Sequence, residues 1–171
     1  EGERAQEALR SGQVHALCHA DAVLAPLEHQ GEVRIVADAR GLVGSHTVFG
    51  GTQPGTCLLA PAGFVLGRAS QAQALVHGLV HALKWLQTAA PADVLKHVPP
   101  SGLLAERSLY LAALARARDA MSPDGLMPED APRTALRTLA ALNPALAVHQ
   151  SDLARSYTQE FARKAKQKFS A

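Results

Sequence analysis

Residues 41–55 read GLVGSHTVFGGTQPG, five glycines and a proline in fifteen positions. Inside a helix, glycine costs roughly 1 kcal/mol and proline about 3 kcal/mol relative to alanine. So dense a stretch therefore reads as a connection and not as the interior of a regular element. It divides the chain, and the fold has to be built from what lies on either side of it. The paired Gly50 and Gly51 also allow main-chain N–H groups to approach a small anion closely, which keeps a binding role through the backbone open.

Before this connection the pattern alternates between two periods. The first ten residues, with Ala5, Ala8 and Leu9 among charged side chains, predict a short helix stopped by Ser11 and Gly12. Residues 13–19 alternate Val14, Ala16 and Cys18 against His15, Leu17 and His19, the two-residue period of a strand. A short helix follows over 22–29, Gly31 breaks it, and 33–37 (VRIVA) is the strongest strand signal in the chain. Residues 57–60 (CLLA) add a short apolar run read as a buried strand. Helix, strand, helix, strand predicts an α/β fold.

After the connection the reading is helical. Residues 70–88 carry Leu75, Val76, Leu79, Val80, Leu83 and Leu86 at helical spacing, with Ser70 as the N-cap. Residues 103–121 repeat the pattern. Asp130 with Pro132 opens a helix through Leu142 that ends at Asn143 and Pro144. Residues 151–169 place Leu153, Tyr157 and Phe161 on one face of a last helix.

Composition narrows the classes of function. A chain that is 47% apolar and 19% charged has the balance of a globular domain. A net charge of +2, with no basic stripe interleaved with aromatics, argues against nucleic acid as a partner. No apolar run reaches the eighteen or so residues of a membrane span, and the first residues carry neither a basic nor an apolar leader segment.

Residues 15–21, HALCHAD, bring the side-chain types of a zinc site together. On a strand, however, Cys18 would face away from His15 and His19, so the expectation is no metal, with Cys18 packed as a small hydrophobe. His77 and His81 share a helix face but lack the glutamate that a zinc protease needs after the first histidine. They fall opposite the leucine stripe, on a face expected to be solvated. GGTQPGT at 50–56 has the glycines of a phosphate loop with Thr56 in place of its lysine, and no GxSxG elbow occurs. No complete catalytic set is present.

Several stretches together resemble a known family. ALRSGQV from Ala8, VRIVADAR from Val33, VFGG from Val48, CLLAP from Cys57, ALKWLQTAAPAD, RSLYLAA, SPDGLMPEDAPRTAL and DLARSYTQEFARKAKQK follow one another in the order and spacing of substrate-binding proteins of ABC importers. The most similar group takes nitrate, taurine, aliphatic sulfonates and pyrimidine precursors of thiamine. The resemblance implies the C-terminal portion of a two-lobed α/β fold: residues 1–38 as the end of the second lobe, 39–56 as the interlobe crossover, and 57–171 as the returning half of the first lobe with terminal helices. It implies a non-catalytic protein without cofactor or metal that captures a small anionic or heteroaromatic molecule between its lobes. The ABC permease would be its partner and the periplasm, or a lipoprotein anchor, its place. His19, Ala20 and Asp21 from one side, and Phe49, Gly50 and Gly51 from the crossover, are the ligand contacts it implies.

Alternatives on the same fold are a pyrimidine synthase-like enzyme and the ligand-sensing domain of a regulator. His15 stands where the family usually has an acid. The chain reads as a truncated piece, for which self-association is expected.

Overall fold

The structure, a computed structural model, describes residues 2–99 and 107–170. Its helices are α1 (Gly2–Arg10), α2 (Asp21–His29), α3 (Leu42–Phe49), α4 (Ala62–Gly67), α5 (Ala69–Thr88), α6 (Pro91–His97), α7 (Arg107–Arg118), α8 (Ala131–Leu142) and α9 (Glu160–Phe169), with a 3₁₀ segment, Pro144–Arg155, between the last two.

The described residues contain no strand, so the expected α/β class is incorrect and the fold is helical. The runs at 13–19, 33–37 and 57–60 are not regular elements. The reason lies in where the backbone hydrogen bonds go. A helix closes its bonds within one segment, whereas an extended run becomes a strand only when a second segment answers its N–H and C=O groups. The amide of Val14 turns back to the carbonyl of Ala8 at 3.1 Å, and the described main chain supplies no carbonyl to the amides of 33–37 or 57–60. Their apolar pattern describes side chains suited to a sheet, without the sheet.

The glycine-rich stretch holds the second correction. It contains α3, because its glycines punctuate the helix instead of filling it. Gly41 occupies the N-cap position and Gly50 the C-cap position, with φ of 69°. The left-handed C-terminal residue is the place where glycine is favoured. Only Gly44 lies inside.

Elsewhere, α1 and α2 form as expected, ended by Gly12 and Gly31 at φ of 74° and 71°. Helix α5 begins at Ala69, so Ser70 lies within its first turn and is not its cap. The helix expected over 103–121 is α7; residues 103–106 lie outside the described ones. The last expected helix is interrupted between Arg155 and Glu160. There the hydroxyl of Ser156 donates to the carbonyl of Leu153 at 2.7 Å, and the hydroxyl of Thr158 accepts from the amide of Glu160 at 3.3 Å. Serine and threonine side chains that take up main-chain groups compete with helix continuation in this way. Tyr157 consequently lies outside any helix and is exposed.

Packing joins the helices locally. Ala89, Val94 and Leu114 form a core between the end of α5, α6 and α7, with Leu86, Tyr110 and Met121 against it. Helix α9 lies along α5, where Val80, Ala162 and Ala165 are buried and Gln73 Nε2 donates to the carbonyl of Phe161 at 2.9 Å. Lys84 donates to the carbonyls of Phe169 and Ser170, a cation on the negative end of the α9 dipole. Helix α2 packs on α7, burying Ala25 and Leu27, and α8 packs on the 3₁₀ segment.

Candidate functional site

The glycine-rich stretch is fastened to α8 by polar contacts that fix the position of Phe49, Gly50 and Gly51. Asp130 precedes α8 in the N-cap position, yet its side chain makes no cap bond. Its Oδ2 accepts instead from the amide of Thr52 at 2.7 Å. That amide is the chief cause holding the Asp130 carboxyl below its usual range. Ser45, buried on α3, donates to the carbonyl of Gly51 at 2.9 Å and accepts from the amide of Gln53 at 2.8 Å. Gly51 is itself buried, and a Cβ there would overlap the Thr134 hydroxyl.

One turn further along α8, the Nη2 of Arg137 donates to the carbonyls of Phe49 at 2.9 Å and Gly50 at 3.1 Å. A shallow, open depression of 340 Å³ lies beside this junction, lined by Val48, Phe49, Arg137, Thr138, Ala141 and Leu142, of which Val48, Arg137 and Leu142 are exposed. Two of the five guanidinium N–H groups are used by those carbonyls, which fix its plane and leave three donors. Among the described residues no carboxylate pairs with Arg137. An aliphatic and aromatic wall beside an unneutralised guanidinium suits a small molecule with an apolar body and an anionic end.

His19, Ala20 and Asp21 stand at the start of α2. His19 is exposed and its Nδ1 accepts from the Ala20 amide at 2.9 Å, which places the proton of the neutral ring on Nε2. Ala20 is the N-cap residue of α2. The Asp21 carboxylate is taken by two arginines: Oδ1 accepts from Arg40 Nη1 at 2.7 Å and Oδ2 from Arg116 Nη2 at 3.5 Å. Arg40 also meets Glu28 at 3.0 Å and Asp38 at 2.5 Å, and Arg116 reaches Glu28 at 3.9 Å. Hydrogen bonding from Arg40 holds the Asp38 carboxyl at about 2, and Asp38, followed by Glu28 and Asp21, raises the Arg40 guanidinium. A cavity of 370 Å³ lies here, lined by Asp38, Arg40, Gly41, Gly44 and Arg116. Three carboxylates surround two guanidiniums, so the cluster is already neutralised.

No hydrogen bond or ion pair among the described residues joins His19, Ala20 or Asp21 to Phe49, Gly50 or Gly51. Of the first three only Asp21 reaches α7, through Arg116; Phe49 and Gly50 are held by Arg137 of α8, Gly51 lies against Thr134 of α8, and α3 spans between the two attachments. Cys18 is free and exposed, not packed as a small hydrophobe, and the alternation that set it apart from the histidines is absent. Among the described residues no three His, Cys, Asp or Glu side chains converge as a metal set. His81 is exposed, as expected of a solvated face, while His77 is half-buried. The His81 ring stacks on Phe169 with centroids 4.9 Å apart and His77 meets the same ring edge-on at 5.6 Å, while Leu75 and Leu79 are exposed.

Arg137, Thr138, Arg40 and Arg116 were not anticipated from the sequence. A signal for the α8 pair does exist: Thr134, Arg137, Thr138 and Ala141 recur at three- and four-residue spacing on one helix face. Nothing local marks Arg40 and Arg116, which are brought together only by packing.

A backbone arrangement of this kind also occurs in a solved structure. The chain is similar to a protein from Bordetella bronchiseptica RB50, with 40% identity and a TM-score of 0.88, over 98% of this chain and 52% of that one. The chain thus spans about half the length of that protein. No family model matches the chain, and no curated protein matches it. No helix among the described residues is long and apolar enough to cross a membrane.

Proposed function

We propose that the chain belongs to the solute-binding component of an ABC importer and captures a small molecule at the depression beside Phe49. The observation that carries this reading is the meeting of Phe49, Val48 and Leu142 with an unpaired Arg137 whose plane is fixed by two main-chain carbonyls. Apolar contact supplies area, and a charge-assisted hydrogen bond is about twice as strong as a neutral one. The solute favoured is therefore a small organic anion with a flat or aliphatic body. The cavity at Arg40 is the weaker candidate, since its guanidiniums already face three carboxylates. A membrane permease as the acceptor of the solute and a periplasmic location belong to the same reading.

Calorimetric titration with benzenesulfonate and with neutral benzenesulfonamide, which share one apolar body, tests it. The sulfonate is expected to bind, and Arg137→Gln to weaken it by about tenfold or more while sparing the sulfonamide. Binding of neither compound, or equal binding unaffected by the substitution, sinks this assignment of the site.

A further inference from the structure

A chain of 18.0 kDa that folds as a compact monomer exposes about 8,000 Å². This one exposes 11881 Å². The surplus, about 3,900 Å², exceeds even the roughly 1,000–2,500 Å² that each partner gives to an obligate interface. Much of it is apolar: Val36 and Leu59 are each 88% exposed, and Val43, Leu58 and Leu66 are exposed beside them in sequence or in the same half of the chain. Isolated apolar residues on a surface are ordinary, but here they coincide with unused main chain. The amides of residues 33–37 and 57–60 donate to no carbonyl among the described residues. Apolar side chains and free backbone groups in one stretch call for a partner that supplies both apolar cover and main-chain hydrogen bonds. A small solute offers too little of either.

We propose that residues 33–37 and 57–60 are docking sites for polypeptide equivalent to the part of the Bordetella bronchiseptica protein outside the matched 52%. That protein keeps the same backbone arrangement within a chain nearly twice as long, so it contains a further portion able to cover exposed apolar surface of this part. The partner is thus a polypeptide with an apolar face and exposed backbone, and this inference stands apart from the solute assignment.

The test co-expresses this chain with that remaining part of the Bordetella protein as a separate polypeptide, and also joins the two through a flexible linker. Sedimentation equilibrium gives the mass, and hydrogen exchange gives the protection of residues 33–37 and 57–60. The expected result is a one-to-one complex in which exchange at both stretches slows by at least about tenfold, in the separate and in the fused forms. Val36→Asp and Leu59→Asp, at side chains that pack on nothing in the chain alone, are expected to weaken the complex by tenfold or more. Fast exchange at both stretches in both forms overturns the proposal. So does a homodimer of this chain alone that protects the same amides, since a second copy is then the occupant.

Discussion

At Gly44 a single missing side chain decides whether α3 can lie where it does. A Cβ there would overlap the carbonyl oxygen of Asp38, and the carbonyl carbon of Asp38 would be 2.9 Å away. Backbone atoms cannot swing aside as the end of a long side chain can, so Gly44→Ala is expected to cost about 1–3 kcal/mol, the range for overpacking. Gly55→Ala meets nothing within 4 Å and is the control, expected within about 0.5 kcal/mol of the parent or slightly more stable. Urea midpoints at constant slope separate the two. The same loop carries a pH dependence. The Asp38 carboxyl sits at about 2 in the fold, below the usual 3.8, so its contact with Arg40 stabilises the fold above pH 4 and is lost as the pH falls through about 2. A shift of that size corresponds to about 2 kcal/mol, but the side chain is 43% exposed and screening brings it to about 1 kcal/mol. Asp38→Asn is expected to remove that increment from the difference in stability between pH 5 and pH 2, measured by unfolding at both. An unchanged difference refutes the contact.

Among the elements, α5 shows most directly what a sequence pattern does and does not determine. Its existence and length follow from the spacing of Leu75, Leu79, Leu83 and Leu86, yet the side it buries is the one that carries Ala72, His77, Val80 and Lys84. Apolar residues occur around most of this helix, so periodicity alone could not choose a face; the position of α9 chose it. The prediction follows from the exposures. Leu79→Gln, at a side chain 48% exposed, should change stability by no more than about 0.5 kcal/mol, whereas Val80→Asn, at 1%, should cost about 2–4 kcal/mol through lost burial and an unpaired amide. A thermal melt ordering the two variants the other way round would place α9 on the opposite face. Helices α1, α2 and α8 were legible because their stop signals, Gly12, Gly31 and Asn143, act on their own residues. The three expected strands were not, because a strand depends on a partner that no local pattern reveals. Phe49 in the depression was read from a resemblance, while Arg137 opposite it became visible only when α8 was set against the glycine-rich stretch.

For the whole molecule the governing quantity is how little surface it buries. The unfolded chain exposes about 26,000 Å², so folding alone buries about 54% of it, less than the ~60% typical of a domain of 60 residues and well below the ~70% of one near this length. The slope of stability against denaturant scales with the area exposed on unfolding. The urea slope of the chain alone is therefore expected to be about four-fifths of that of a compact protein of equal mass, with the heat capacity of unfolding reduced in parallel. Occupation of the surface at residues 33–37 and 57–60 by a second polypeptide should steepen both, because the complex then releases the covered area in the same transition. Solute at the depression beside Phe49 acts differently: it raises the midpoint through mass action and leaves the slope where it was. Urea titrations of the chain alone, with benzenesulfonate, and with the companion polypeptide therefore separate the two kinds of binding. A slope for the chain alone equal to that of a compact protein of its size would mean that the apolar stretches are already covered in the monomer.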